Sequence, residues 1–466
     1  MHVHTDQFSE QSKVALSNVH LQEALQKATD RFIGLRMIAF SELPEGEALR
    51  GKGRAIKEET IHHLDEYLEQ LEAQVIKNGG VVHWARNAEE ACRCIVDLAL
   101  QRGVKLVVKS KSMTTEEISL NEALGKAGIE AVETDLGEYI IQLAGETPSH
   151  IIAPAIHKSK EDVSELFSKK LGIERYDEVE KLTQVARQTL REKFCQAGMG
   201  ISGVNFAAAE TGTIVVVENE GNARLTTSMP PIHVAVMGIE KVIPKLEDLA
   251  VFLKILARSA TGQKMSSYVS LITGPGRPSD RDGPSEFHLV ILDNGRSKIL
   301  KHEELRESLF CLRCGACLNV CPVYQKIGGH AYGWVYSGPI GAVITPQLVG
   351  LHRSGALPYA SSLCGACAEA CPVKINIPHL LLKLRSMVVD ETDNSESGGP
   401  SRMERLAILL WAFSMRHRWI YEALSTIASK LQKLFLPFPF SRWTESRDFP
   451  HLAEKSFRRR WREKKR

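Results

Sequence analysis

Residues 311–324, CLRCGACLNVCPVY, contain four cysteines in the pattern Cys-x-x-Cys-x-x-Cys-x-x-x-Cys-Pro. This is the ligand spacing of bacterial proteins that bind [4Fe–4S] clusters. Three thiolates in one tight loop can surround a single cubane, whereas the fourth, one helical turn further on, is positioned to serve a different cluster. The string therefore predicts a compact iron–sulfur segment organised by Cys311, Cys314, Cys317 and Cys321.

A second string, CGACAEACP at residues 364–372, repeats the CGACLNVCP of the first string almost residue for residue. Two copies of a ligand motif indicate two clusters, and each cluster then takes one ligand from the other motif. We predict that the first cluster is held by Cys311, Cys314, Cys317 and Cys371, and the second by Cys321, Cys364 and Cys367.

The second copy lacks one thiol, because aligning the two strings places Ser361 where Cys311 stands. Three arrangements satisfy this count: a [4Fe–4S] cluster with serine, histidine or water at its fourth iron, a [3Fe–4S] cluster, or a remote cysteine that completes the site. The spare thiols, Cys92, Cys94 and Cys195, lie in another part of the chain. We favour a [4Fe–4S] site with three cysteines and a fourth position that is open or not a thiolate.

Structural zinc is the alternative chemistry for clustered cysteines. Zinc sites use four tetrahedral ligands, usually supplied as two separated pairs. The first string does not divide into pairs, so its spacing favours iron–sulfur clusters over zinc. Two neighbouring clusters normally carry out one-electron transfer.

The composition of the chain is that of a globular protein. Of 466 residues, 43% are hydrophobic and 25% are charged, and 59 basic side chains nearly balance 56 acidic ones. This balance excludes the strong global charge of a nucleic-acid-binding protein. The N-terminal sequence MHVHTDQFSEQSKVALSN has no pattern of a secretory signal, and the apolar run Leu406–Phe413 is too short to span a bilayer. Clustered cysteines without an export signal are expected to be metal ligands in a cytoplasmic protein.

Short β-branched runs alternate with amphipathic segments from about residue 81 to residue 300, which predicts an α/β domain with a largely parallel sheet. The predicted strands are Lys105–Val108, Ile214–Val217, Val234–Met237 and Leu289–Leu292. The predicted helices include Thr115–Ala127, opened by a capping box from Thr114 to Glu117, and Glu161–Leu171.

The chain is predicted to divide into five parts. They are an N-terminal lead-in (1–65), the α/β domain (66–300), an α-helical two-cluster domain (301–389), a linker (390–402) and a helical region with a basic tail (403–466). The last ten residues, FRRRWREKKR, carry seven basic side chains and one acidic one, so the rest of the chain is slightly acidic. Such a tail can contact acidic lipid headgroups, an acidic partner or nucleic acid, or it can simply be solvated.

Two stretches of the α/β domain resemble ligand-binding edges. Asn205, Glu210 and Thr211 lie at the mouth of the strand in GISGVNFAAAETGTIVVVENEGNARL, residues 200–225. The segment Lys109–Met113 connects a strand to a helix, where an anion can meet a helix N-terminus. Ordinary glycine turns and a solvated strand–helix turn are the simpler interpretations, and on sequence alone we favour them.

Several strings together give the chain a specific resemblance. KSMTTEEISLNEAL (111–124), FAAAETGTIVVVENEGNARL (206–225), DGPSEFHLVILDNGRS (282–297) and the paired cluster motifs are similar to the lactate-utilisation iron–sulfur protein B family. The resemblance implies an α/β domain like those of ribose-5-phosphate isomerases and CoA transferases, followed by an α-helical ferredoxin. It also implies two [4Fe–4S] clusters on the seven cysteines named above and two companion subunits that together oxidise L-lactate to pyruvate. No catalytic residue carries over.

The leading hypothesis is therefore an electron-transfer subunit of an L-lactate-oxidising complex, with an unidentified final electron acceptor and no nucleic-acid partner. A redox or iron sensor is one alternative, in which the three-cysteine cluster is the labile element. Another alternative is that the α/β domain is an enzyme on a small carboxylate and uses the clusters as its electron outlet. No flavin-binding signature is visible, so a two-electron oxidation needs another cofactor or subunit.

Overall fold

The structure, a computed structural model, describes residues 3–280, 282–391, 402–435 and 452–464. The chain divides into two compact units, Met1–Gly398 and Gly399–Arg466. Most of the predicted linker, from residue 392 to residue 401, lies outside the described residues.

The strands of the first unit form two sheets. In chain order they are β1 (Val81–Ala85), β2 (Leu106–Lys109), β3 (Glu130–Glu133), β4 (Met199–Gly203), β5 (Phe206–Ala208), β6 (Thr213–Glu218), β7 (Ile232–Gly238), β8 (Val242–Ile243), β9 (Tyr268–Ile272) and β10 (Glu286–Leu292). The larger sheet has six strands in the order β1-β10-β7-β4-β2-β3, and every pair in it is parallel. The smaller sheet has the order β8-β5-β6-β9, with β6 antiparallel to both of its neighbours.

The larger sheet confirms the predicted parallel α/β domain. All residues of β2 and β7 are buried, as expected for strands covered on both faces, whose sequences read as continuous apolar runs. The predicted strand Ile214–Val217 exists, but it belongs to the smaller, mixed sheet as part of β6.

Helices of the first unit fall into three groups along the chain. Before the sheet lie Phe8–Ser17, Val19–Ser41, Gly46–His62 and Leu64–Lys77. Between and after the strands lie Ala88–Gln101, Met113–Glu117, Leu120–Lys126, Leu136–Ala144, Lys160–Leu171, Val179–Gln196, Asn222–Ser228, Leu249–Ala260 and Arg296–Lys301. The cysteine-rich segment contributes Ala316–Asn319, Tyr324–Ile327, Gly338–Val349, Leu351–Ser354, Ala366–Ala370 and Ile377–Glu391.

The helix predicted at Thr115–Ala127 is two helices, because Ser119 adopts a left-handed conformation with φ 55° between them. The predicted capping box at Thr114 is also wrong. Ser112 is the N-cap, and its hydroxyl accepts the backbone N–H of Thr115 at 3.3 Å. Glu117, the other residue of the predicted box, instead forms an ion pair with the buried Arg296.

The N-terminal lead-in is hydrogen-bonded to the cysteine-rich segment. Three of its arginines donate to backbone carbonyls around the second cysteine motif. Arg36 reaches Ala370 O at 3.1 Å, Arg50 reaches Cys371 O at 2.8 Å, and Arg54 reaches Lys374 O at 2.6 Å. These charged donors hold the backbone that carries Cys371.

One hydrophobic core extends through the N-terminal helices, one face of the α/β domain and the cysteine-rich segment. Two smaller cores cover other parts of the larger sheet. The α/β part and the cysteine-rich part are therefore packed as a single body within the first unit.

The second unit is helical, as predicted, and consists of Arg402–Arg416, Arg418–Phe435 and Phe457–Lys464 in its described residues. The described part of the basic tail, Phe457–Lys464, is itself a helix, and Arg462 donates to Glu422 at 2.8 Å. Across the described parts of both units, no helix combines the length and the apolar character that a membrane span needs.

A buried ionic network joins the α/β part to the cysteine-rich part. The guanidinium of Arg296 donates two hydrogen bonds of 2.8 Å to the carboxylate of Glu117 and one of 2.7 Å to Glu240. Tyr336 donates to Glu117 at 2.6 Å, and Arg313 lies 3.5 Å from the other oxygen of Glu240. Despite burial, Arg296 and Arg313 lower the pKa of Glu240 to about 2, so its carboxylate stays ionised.

Replacing Arg296 by methionine should destabilise the first unit by about 3–5 kcal/mol, because it leaves two buried carboxylates without their shared cation. The measurement is the free energy of unfolding from urea denaturation of the holoprotein.

Arg102→Gln is the matched control, since Arg102 pairs with Glu286 at 2.8 Å on the surface. Its midpoint should stay close to that of the wild type. Equal midpoints for Arg296→Met and Arg102→Gln would show that the buried network does not join the two parts energetically.

Candidate functional site

The first cysteine motif forms a tight loop that leads into a short helix. Arg313 and Gly315 both have positive φ, 60° and 74°, and the helix Ala316–Asn319 follows at once. The backbone N–H of Arg313 donates to Cys311 Sγ at 3.3 Å. A Cβ at residue 315 would lie 3.0 Å from His150 of the α/β part, so glycine is needed for space as well as for its backbone angle.

The second motif repeats this loop geometry. Leu363 and Gly365 have φ of 55° and 86°, and the helix Ala366–Ala370 follows. Ser361 takes the place of Cys311, since its Oγ accepts the backbone N–H of Leu363 at 3.1 Å. The serine therefore has the same position in its loop, and the same hydrogen bond, as the first cysteine of the complete motif.

Cys371 lies near Cys311 and Cys314 of the other motif. Burial, together with the charges of Cys371 and Cys311, raises the pKa of Cys314 to about 12. Burial also raises the pKa of Cys371 to about 11, with Cys311 again among the causes. Burial raises the pKa of Cys317 as well, and the charges of Cys311, Cys314 and Cys367 act in the same direction, so Cys317 lies between the two groups of thiols.

The other three cysteines form a neighbouring group. Burial, together with the charges of Cys321 and Cys364, raises the pKa of Cys367 to about 12. Cys364 is exposed, and a hydrogen bond from the backbone N–H of Ala366 lowers its pKa. Within the described residues, no three His, Cys, Asp or Glu side chains are placed to hold a single metal ion.

These residues fit iron–sulfur clusters by the chemistry of their donors. Five of the seven thiols are buried, all except Cys311 and Cys364, and a buried thiol in its ionised form needs a bound cation to be stable. Backbone N–H groups point at the sulfurs, including that of Ile375, which donates to Cys371 Sγ at 3.3 Å. Hydrogen bonds of this kind tune the potentials of protein-bound clusters.

The spare cysteines belong to other parts of the fold. Cys92 and Cys94 lie on the helix Ala88–Gln101, and Cys92 Sγ donates to Ile118 O at 3.2 Å. Cys195 is exposed near the end of the helix Val179–Gln196. The sequence prediction that these three thiols are bystanders stays a prediction.

A cavity of about 270 Å³ lies beside the first motif. Its walls come from the carboxyl ends of adjacent parallel strands, with Lys111 after β2, Asn205 after β4 and Lys241 after β7. Leu312–Cys314 of the cysteine loop close another side. The edge formed by the carboxyl ends of parallel strands is the usual place for ligands in open α/β sheets.

The cavity changes the interpretation of the two weaker sequence signals. The segment Lys109–Met113 is not a solvated turn, because Lys109, Ser110 and Ser112 are buried and the turn lines the cavity. Asn205 also lines it, whereas Glu210 is exposed and accepts the backbone N–H of Leu246 elsewhere.

Sequence analysis missed the ionic network and the part that Arg313 plays in the cavity wall. Arg313 stands inside the first cysteine motif, where its charge is unusual between ligands. The charge of Arg313 is visible in the sequence and could have drawn attention to this residue. Its partner Glu240, however, lies in a distant part of the chain.

Three family models match consecutive parts of the chain. They are the LUD domain at residues 68–292, the 4Fe-4S dicluster domain at 307–375, and "Lactate utilisation protein B, C-terminal" at 386–466. The fold is thus a LUD α/β domain, then a dicluster ferredoxin domain, then a helical C-terminal region.

Curated relatives match over nearly the whole length. "Lactate utilization protein B" of Bacillus licheniformis is 44% identical, over 98% of this chain and 97% of that protein. The protein of the same name from Geobacillus sp. is 45% identical with the same coverage. A crystal structure of a DUF162 family protein from Deinococcus radiodurans aligns at 13% identity with a TM-score of 0.28, covering 49% of this chain and 98% of that one, a likeness too weak to inform the fold.

Proposed function

This chain belongs to the lactate utilization protein B family, and from that premise we propose that it is the iron–sulfur electron-transfer subunit of a complex that oxidises L-lactate to pyruvate. A role in lactate utilisation follows from the family. The observation that carries the finer proposal is the arrangement of seven cysteines in two adjoining groups within a 4Fe-4S dicluster domain. Two companion subunits and an outside electron acceptor complete the proposed system.

We assign one [4Fe–4S] cluster to each group of thiols. The first is held by Cys311, Cys314, Cys317 and Cys371, and the second by Cys321, Cys364 and Cys367. When bound, the clusters supply one-electron transfer. Support for the crossed assignment comes from two electrostatic effects between the motifs: the charge of Cys371 raises the pKa of Cys314, and the charge of Cys311 raises the pKa of Cys371.

Ser361 is the candidate for the fourth position of the second cluster. Its backbone setting and its hydrogen bond from Leu363 match those of Cys311, and it is half-buried beside the exposed Cys364. A serine oxygen is a harder donor than a thiolate, so this iron should be held less firmly than its neighbours.

Replacing Cys371 by alanine should remove the first cluster, although the residue lies in the second motif. The iron content should fall from about eight to about four per chain, since one cubane contains four irons. The EPR signal lost from the reduced protein should be the one that Cys311→Ala loses, and it should differ from the signal lost in Cys364→Ala.

Cys195→Ala, at an exposed thiol, is the control and should keep all of the iron. Loss of the same EPR signal in Cys371→Ala and Cys364→Ala would contradict crossed ligation. A wild-type content of about four irons would contradict the two-cluster assignment.

Replacing Ser361 by alanine should make one iron of the second cluster easier to remove, and Ser361→Cys should make it harder to remove. The measurement is the rate of iron loss to a chelator under anaerobic conditions, together with EPR of the protein that remains.

Ser386→Ala provides the comparison, because Ser386 is an exposed serine on the following helix, Ile377–Glu391. If Ser361→Ala and Ser386→Ala lose iron at the same rate as the wild type, Ser361 is not a ligand and the fourth position is open.

A second candidate function is favoured by the cavity, which places Cys314 in the wall of a site in the α/β domain. In this alternative the chain itself oxidises a small carboxylate. Oxidation of L-lactate to pyruvate releases two electrons and two protons, and two clusters can each accept one electron. Cluster reduction by L-lactate in the isolated chain would favour this alternative, whereas a requirement for added subunits favours the electron-transfer role.

A further inference from the structure

The cavity at the strand ends contains cationic groups that lack partners. Lys111 Nζ is inaccessible to solvent and has no hydrogen-bond partner among the described residues, and the same holds for Nη1 of Arg313. Both residues line the cavity, and the side chain of Arg313 is only 10% exposed. Buried donors without acceptors are costly, so they point to a ligand that supplies acceptors.

Lys109, two residues before Lys111, differs from it in its hydrogen bonds. The ammonium group of Lys109 lies 2.7 Å from Glu133, 2.9 Å from Glu116 and 2.9 Å from the hydroxyl of Thr115. The same turn thus satisfies one buried lysine completely and leaves the next one facing the cavity.

Acidic residues that line the cavity already have partners. Asp135 accepts the backbone N–H of Glu138 at 3.1 Å, and Glu220 accepts that of Leu136 at 3.0 Å. The two oxygens of Glu218 accept the backbone N–H groups of Ala223 and Arg224, at 3.0 and 2.8 Å. The buried cavity donors without a partner in the described residues are therefore two cationic groups, on Lys111 and Arg313, and the hydroxyl of Ser110.

The charges of the cavity are also distributed unevenly. Lys241 is buried and interacts electrostatically with Glu240, Arg313 and Cys311, on the side of the cluster loop, where Arg296 also pairs with Glu240. Lys111 interacts with Asp135, Glu138 and Glu220, and burial raises the pKa of Glu220 to about 7. One side of the cavity thus suits an anionic group, and the other suits a neutral polar group.

We propose that this cavity binds a small 2-hydroxycarboxylate, with its carboxylate on Arg313 and Lys241 and its hydroxyl on the side of Lys111 and Glu220. The site follows from the unpartnered donors of Arg313 and Lys111, while the choice of a 2-hydroxy acid and its orientation in the cavity rest on the proposed function. Asp135 and Glu220 disfavour a more highly charged anion, because like charges repel. The bound carboxylate lies next to the loop that carries Cys314.

The test is isothermal titration of the full-length, cluster-containing chain with L-lactate under anaerobic conditions. Lys111→Met and Lys241→Met should each weaken binding about 10–100-fold, the usual effect of losing a hydrogen bond to a charged group. Lys105→Met is the matched control, because Lys105 is exposed just before the opposite end of the same strand. It should bind L-lactate as the wild type does.

A second measurement separates a binding role from a structural one. The Lys111 ammonium makes no hydrogen bond in the described residues and its charge is balanced by Asp135, Glu138 and Glu220, so Lys111→Met should weaken binding while it changes the thermal midpoint of the ligand-free protein less than Arg296→Met does. L-lactate should also shift the EPR signal of the first cluster in the wild type. A lower midpoint with unchanged affinity would overturn the role of Lys111.

Titrations with acetate and inorganic phosphate test the ligand class. Weaker binding of acetate supports a contact with the hydroxyl, and tighter binding of phosphate than of L-lactate overturns the carboxylate assignment. The iron content and EPR of the same sample separate the two proposals. If the sample contains both clusters but does not bind L-lactate, only the cavity site is overturned. If the sample contains no clusters, the proposed electron-transfer function is overturned.

Discussion

The position of Arg296, buried between two carboxylates, is the constraint on which the architecture of the first unit depends. Its guanidinium has 1% of its surface exposed, and it is hydrogen-bonded to both Glu117 and Glu240. A buried charge is tolerated only when its partners are in place. Because Tyr336 and Arg313 belong to the cysteine-rich segment and complete the same network, the α/β domain and the dicluster domain have one preferred registry.

That registry determines what surrounds each cysteine motif. The first motif lies against the carboxyl ends of the parallel strands, so that Leu312–Cys314 become a wall of the cavity. The second motif is held on another side by arginines of the N-terminal helices, among them Arg50, which donates to Cys371 O. A substrate-sized cavity and two groups of thiols are thereby built into one packed body, which accounts for the association of a LUD domain with a dicluster domain in one chain.

The sequence predicted those features that depend on neighbours along the chain. Buried parallel strands appear as β-branched runs, and cluster ligands appear as cysteine spacing. Contacts between distant segments were not predictable in this way. Lys111 has the sequence context of a solvated turn, and only the packing of β4, β7 and the cysteine loop around it makes it a buried lysine. Similarly, the sequence positions of Thr114 and Glu117 fit a capping box, but in the structure the carboxylate of Glu117 accepts two hydrogen bonds from Arg296 instead.

The two motifs have the same loop conformation but different surroundings. Under the proposed function, this difference indicates the direction of electron transfer between the two clusters. Ser361 reproduces the hydrogen bond of Cys311, so the loop geometry does not depend on a thiol at this position. Residues 314–319 of the first motif are buried, whereas Cys364 of the second is exposed and its pKa is lowered by a backbone N–H. Under the proposed function, the first cluster adjoins the cavity and the second faces the surface. An outside electron acceptor must therefore approach at the second motif, where the incomplete set of thiols lies.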